Sequence, residues 1–149
     1  MMFSAQRVVT FNEAVSRTAL LTRLAQSLLA DGLVKPSFTD GVLAREERYP
    51  TGIFMETHSV AIPHTEFEHV NHTGFAIGIN RAGVAFHRTD EPEERVVPEI
   101  VVMMAIDKTC EKVAIIQSLF ALLADRDRDI VKMTPEEIAK VFTDAVVTQ

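Results

Sequence analysis

The stretch Ile100-Val101-Val102-Met103-Met104-Ala105-Ile106 decides the fold class. A β-strand turns successive side chains to opposite faces, and both alternating sets are apolar here. Such a segment belongs in the middle of a sheet that is covered on both sides. It is the longest unbroken apolar run of the chain. Even so, it falls far short of the roughly 20 residues a membrane-spanning helix needs.

Upstream of it the period is that of short strands. Ser59-Val60-Ala61-Ile62, Gly74-Phe75-Ala76-Ile77-Gly78-Ile79 and Gly83-Val84-Ala85-Phe86 are apolar runs bounded by Gly, Pro, Asn and Asp. Asn80-Arg81-Ala82-Gly83 reads as a hairpin loop between the last two. An exposed acidic loop, Asp90-Glu91-Pro92-Glu93-Glu94, then leads to the central strand.

Helical signals flank this region. Thr10 with Glu13 fits a capping box, and Ala14, Leu21, Leu24, Ala25, Leu28 and Leu29 follow close to a 3.6-residue period. This predicts a helix from Thr10 to Asp31, stopped by Gly32. A second is expected over 37–47, with Val42 and Leu43 inward, ending at Tyr49-Pro50-Thr51-Gly52. Thr109 can cap a third that runs to about Ala124 and buries Val113, Ile116, Leu119, Phe120 and Leu123. Thr134-Pro135-Glu136-Glu137 opens a fourth, with a capping box and proline at the first position. The order of helix, helix, strands, helix, helix predicts one α/β domain over residues 1–149, a mixed parallel/antiparallel sheet with helices on both faces.

Composition narrows the chemistry. The 149 residues carry a formal net charge of −6, which argues against nucleic acid as a partner, since that needs a basic footprint. A single cysteine excludes an intrachain disulfide and a thiolate-only zinc site. Met1-Met2-Phe3-Ser4-Ala5-Gln6-Arg7 does not open a charged-then-apolar leader, so a cytoplasmic protein without direct membrane insertion is expected. The histidines are unevenly placed. Of the 5, His58, His64, His69 and His72 fall close together, and His87 follows soon after.

His64 stands out among them. In Ser59-Val60-Ala61-Ile62-Pro63-His64-Thr65 an apolar strand meets proline, and the histidine follows at once. Proline cannot donate to a sheet ladder and has a fixed φ, so His64 should leave the strand end on a stiff backbone. Unaided, the Pro-His pair is also compatible with an ordinary loop histidine.

Val60-Ala61-Ile62-Pro63-His64-Thr65 resembles the active-site signature of the fructose/mannitol-type enzyme IIA (EIIA type 2) components of the sugar phosphotransferase system, the PTS. Arg45-Glu46, six residues before Thr51-Gly52-Ile53, resembles the Arg-Glu…Thr-Gly-Ile stretch that precedes the family histidine. Tyr49-Pro50-Thr51-Gly52 and the spacing to Pro63-His64 look most like the galactitol-type branch. The resemblance implies a phosphoryl carrier: His64 accepts phosphate from the phosphocarrier HPr and passes it to a IIB component, which serves a membrane IIC component. It implies no cofactor, and the sequence has no G-x-x-x-x-G-K-[ST] loop.

By the same resemblance Arg45 holds the phosphoryl group with its planar fork of donors; otherwise it is a solvated cation at a helix end. Thr65 and nearby backbone N–H groups are further candidates. So is the start of the helix after Thr109, where free amides and the helix dipole favour an anion. Family members often carry a second histidine near that point. Lys112 stands there instead; it can neutralise phosphate but cannot accept a hydrogen bond from His64 at neutral pH.

His58 is a candidate for lining the same pocket. His69 and His72, with Glu66 or Glu68, have the spacing to flank a metal, although surface-loop histidines are the simpler reading, and no native metal is expected. His87 and Cys110 read as structural. The alternative function is a regulatory EIIA-like module whose histidine phosphorylation controls protein partners.

Overall fold

The computed structural model describes residues 2–108, 111–125 and 128–146, so Thr109 and Cys110 lie outside the described residues. In chain order its strands are β1 (Val8–Phe11), β2 (Gly52–Phe54), β3 (Ser59–Ala61), β4 (Gly74–Asn80), β5 (Phe86–His87), β6 (Arg95–Val96) and β7 (Ile100–Ala105). The α-helices are α1 (Arg17–Ala30), α2 (Phe38–Arg48), α3 (Lys112–Ala124) and α4 (Pro135–Ala145).

β7 is the middle strand of a five-stranded sheet ordered β1-β4-β7-β3-β2. It pairs antiparallel with β4 and parallel with β3, while β1 joins β4 in parallel and β2 joins β3 antiparallel. The two faces of β7 serve two cores. Val101, Met103 and Ala105 pack with Leu20, Leu24, Leu28, Phe38 and Val42 of α1 and α2. Ile100, Val102 and Met104 pack with Ile115, Leu119, Ile138 and Phe142 of α3 and α4. The expected mixed sheet with helices on both faces is therefore what the chain forms.

The N-terminus departs from expectation. Thr10 caps no helix: it lies in β1, opposite Ile79 of β4. Val8-Val9-Thr10-Phe11 is β-branched and aromatic, which suits a pleated strand, and the resemblance of Thr10 and Glu13 to a capping box is accidental. The true cap is Ser16, whose Oγ accepts from the Ala19 amide at 3.0 Å. Ala14, upstream of the helix, is consequently exposed. Leu29 is also more outward than the period implied. The stop at Gly32 is where it was expected: φ is +72°, and the Gly32 and Leu33 amides donate to the carbonyls of Leu29 and Leu28.

Asn80–Gly83 does not join paired strands. β5 pairs with β6 in a separate two-stranded ribbon, and the β4 exit is held by Asn80. Its Nδ2 donates to the Val84 and Pro98 carbonyls, while its Oδ1 accepts from the Val84 amide. The neighbours of β4 are already β1 and β7, so no edge remains for a hairpin partner. In α3 the buried side chains are Ile115, Leu119, Leu122 and Leu123, whereas Val113 is 70% exposed. That helix is apolar nearly all round, and periodicity alone fixes its rotation poorly. α4 has the full capping box of Thr134 and Glu137 with Pro135 at its start.

Candidate active site

β3 and β7 run parallel, so their C-terminal ends lie side by side. Open α/β sheets place ligands beyond such strand ends. β3 stops at Ala61 because Pro63 has no N–H for the ladder. The Pro63 carbonyl still accepts from the Met104 amide at 2.9 Å, and His64 makes one further parallel bridge to Met104. His64 is thus fixed to the central strand by backbone on a segment that proline has stiffened.

Its imidazole is oriented by the same segment. His64 Nδ1 lies 2.8 Å from the Ile62 carbonyl. A carbonyl only accepts, so Nδ1 carries the hydrogen and Nε2 bears the lone pair. Burial, joined by the positive charges of Lys112 and Arg45, holds the ring below the ordinary histidine range, against the opposing influence of the Ile62 carbonyl and Glu66. The ring is therefore neutral and nucleophilic at physiological pH.

A cavity of about 370 Å³ opens beside it. Arg45, Thr65, Glu66 and Lys112 line it with His64, as do Asp107 and Lys108 of the β7–α3 connection. Arg45 comes from the last turn of α2, where its guanidinium lies over the Tyr49 ring at 5.1 Å and its Nη1 donates to Glu66 Oε2 at 2.8 Å. Arg45 Nε is buried and has no hydrogen-bond partner among the described residues. Thr65 is buried, its hydroxyl directed to Glu66 Oε1 at 3.3 Å. α2 approaches this loop closely because residue 41 is glycine: a Cβ there would come within 2.9 Å of Thr65 Oγ1. Lys112 begins α3, so the N-terminal end of that helix also faces the cavity.

The sequence placed Arg45, His64, Thr65 and Lys112 in one site, and the fold brings all four together. His58 is not with them. It precedes β3, at the end opposite His64, and its Nε2 lies 2.7 Å from the Leu123 carbonyl near the end of α3. His58 lines a different cavity, with Asp125 and Arg128. His69 Nδ1 meets Ser37 Oγ at 2.7 Å, His72 is exposed, and His87 Nδ1 meets the Pro92 carbonyl at 2.9 Å. Among the described residues no group of three or more His, Cys, Asp or Glu side chains is placed to hold a metal ion.

Two acids add to the predicted set. Glu46 is 4% exposed and accepts from both the Thr51 amide (2.9 Å) and the Thr51 hydroxyl (2.8 Å). It ties the end of α2 to the start of β2, which explains why Arg45-Glu46 and Thr51-Gly52 occur as a unit. Glu66 has no such signature; only the fold shows that it meets Arg45.

The arrangement defines a class: an α/β protein with a neutral, backbone-oriented histidine facing a cavity supplied with cationic donors. The family described as phosphoenolpyruvate-dependent sugar phosphotransferase system, EIIA 2, matches residues 1–144, and the chain belongs to it. It is 26% identical over 135 residues to the PTS system galactitol-specific EIIA component of Escherichia coli strain K12, covering 89% of each chain. Solved structures share the fold at lower identity. One is the complex of enzyme IIAMTL with phosphorylated enzyme IIBMTL from Escherichia coli (TM-score 0.75, 19% identity, 95% of this chain and 96% of that one). Another is the nitrogen regulatory protein IIA-Ntr from Neisseria meningitidis (TM-score 0.70, 19% identity, 95% and 96%).

Proposed function

We propose that this chain is a cytoplasmic phosphoryl carrier in which His64 Nε2 takes a phosphoryl group from phosphorylated HPr and hands it to a IIB component serving a membrane IIC component, in uptake of a galactitol-type sugar. The observation that carries this reading is the hydrogen bond from His64 Nδ1 to the Ile62 carbonyl, which leaves Nε2 as the nucleophile in a cavity bearing Arg45 and Lys112. Family membership supports the carrier role. The relative named galactitol-specific supports the sugar branch, and the IIAMTL–IIBMTL complex supports a IIB acceptor.

The chemistry follows from the geometry. The Nε2 lone pair forms a bond to phosphorus in line with the breaking nitrogen–phosphorus bond of the donor, whose electron pair leaves with the donor ring. If the donor ring is protonated at its other nitrogen, it departs neutral, the His64 ring becomes cationic, and no proton changes hands. Nδ1–H stays on the Ile62 carbonyl throughout, so the phosphorylated ring remains a good leaving group for the next transfer. Arg45, the Thr65 hydroxyl and Lys112 stabilise the phosphoryl oxygens as charge spreads over them. The donor already carries an activated phosphoryl group, so this route calls on no nucleotide or metal.

The test is transfer from phospho-HPr followed by challenge with a panel of IIB acceptors. Labelling that is then discharged most rapidly by a galactitol-type IIB is the expected result. Labelling that no IIB component discharges would instead favour a regulatory module.

A further inference from the structure

We propose that Glu66 is the resident counter-anion of Arg45, displaced from it when a phosphoryl group occupies the cavity, and that it thereby keeps phosphorylated His64 at high transfer potential. The proposal gives Glu66 a positioning role within the phosphoryl-carrier reading and rests on that reading for its purpose. Its electrostatics stand on the geometry alone.

Arg45 is the cavity's forked cation, and Glu66 already engages one prong of it at 2.8 Å. Nε of the same guanidinium is buried and has no partner among the described residues. Both residues line the cavity that holds His64. An anion arriving at Nε2 therefore meets a guanidinium that is half committed. It competes with Glu66 for Nη1.

The wider charge balance points the same way. Arg45, Lys108 and Lys112 line the cavity, but so do Glu66, Glu68 and Asp107. The cations are thus offset by as many carboxylates, and a phosphoryl group of charge near −2 enters a cavity whose lining carries no net formal charge. A site built only to retain phosphate would omit these acids. One that must release it onward benefits from a nearby anion that lowers the affinity.

Glu66 is suited to moving. Its side chain is 49% exposed, so a released carboxylate is readily hydrated. Desolvation pushes its carboxyl up, but the hydrogen bonds from Arg45 and Thr65 and the Arg45 charge together outweigh it, hold the carboxyl below the usual range and keep it charged. Glu66 makes and breaks no covalent bond.

The experiment compares wild type, Glu66→Gln, Arg45→Ala and the double variant in two arms. The first measures binding of inorganic phosphate by NMR shifts of His64. The second measures the equilibrium of phosphoryl exchange with phospho-HPr. Glu66→Gln should tighten phosphate binding and shift the exchange toward phosphorylated His64 by about two- to fivefold, the scale of an exposed ion pair. In the Arg45→Ala background the same substitution should change either quantity by less than about 1.5-fold.

Weaker phosphate binding in Glu66→Gln would overturn the proposal, because Glu66 would then be preorganising Arg45. An equal gain with and without Arg45 would also overturn it, leaving simple repulsion. If phosphate binding behaves as expected but phospho-HPr never labels His64, the carrier reading fails while the competition for Arg45 stands. Retained circular dichroism in Glu66→Gln separates these outcomes from misfolding.

Discussion

Replacing Glu46 with alanine tests how the site is held together. The carboxylate is 4% exposed and is the acceptor for the Thr51 amide and hydroxyl. Alanine leaves both donors buried without their partner, at about 1–3 kcal/mol each, so a total loss of roughly 2–6 kcal/mol is expected. That is a large share of the about 5–15 kcal/mol that stabilises a typical domain. Glu46→Gln should cost less than about 1 kcal/mol, because its carbonyl accepts from the amide and its NH₂ can donate to the rotated hydroxyl.

The pH dependence separates the two variants further. Burial pushes the Glu46 carboxyl above its ordinary value near 4.5, against the Thr51 hydrogen bonds that pull it down. The folded state then binds the proton more tightly than the unfolded state. The Glu46 contribution to stability is therefore full below about pH 4.5 and is lost as pH rises through the higher folded value. Glu46→Gln abolishes that component of the slope. Urea melts across this range measure both effects. A loss below about 1 kcal/mol in Glu46→Ala, or an unchanged slope in Glu46→Gln, would refute the reasoning.

Four further outcomes are expected. Arg45→Ala should slow phosphoryl transfer about 10²–10³-fold with the fold retained, and Arg45→Lys should recover only part of this, as lysine lacks the planar fork; stopped transfer kinetics check it, and an unchanged rate excludes phosphate contact by Arg45. Since the His64 ring is held below the usual histidine value near 6.5, the acceptance rate should stay flat as pH falls through that value and decline only below it. On stability the sign is the reverse of Glu46: the unfolded state binds more protons, so His64 destabilises the fold as pH drops below about 6.5, and His64→Ala should relieve this in melts at pH 5 to 6. Gly32→Ala should cost about 1–2 kcal/mol in a urea melt, because φ is +72° and a Cβ there meets no atom within 4 Å, which leaves backbone strain as the sole penalty.

Much of this architecture is legible in the chain, for identifiable reasons. Ile100–Ala105 is apolar on both faces, and only a central strand satisfies that. Thr134-Pro135-Glu136-Glu137 and Gly32 act through local hydrogen bonding and backbone strain, so their positions can be read directly. β1 could not be, because its strand character depends on pairing with β4, across more than sixty residues, while a misleading local cap competes with it. The rotation of α3 was equally hidden, since a helix apolar on most sides carries little phase information.

The site divides in the same way. Pro63-His64 and Arg45-Glu46 are local signals, and the former's stiff strand end is visible in the structure as the Pro63–Met104 and His64–Met104 contacts. His58 was drawn in by nearness in sequence, but a strand separates its ends in space, and it faces the other end of the sheet. Glu66 carries no pattern that ties it to Arg45, because that partner lies on a helix twenty-one residues earlier.

The most direct test of His64 as the phosphoryl acceptor through Nε2 is phosphorus–proton correlation NMR on protein phosphorylated by phospho-HPr. One phosphohistidine is expected, at His64, with phosphorus coupled to the ring through Nε2 and with no signal in His64→Ala. Phosphorus on Nδ1, or a wild-type level of label in His64→Ala, would contradict it.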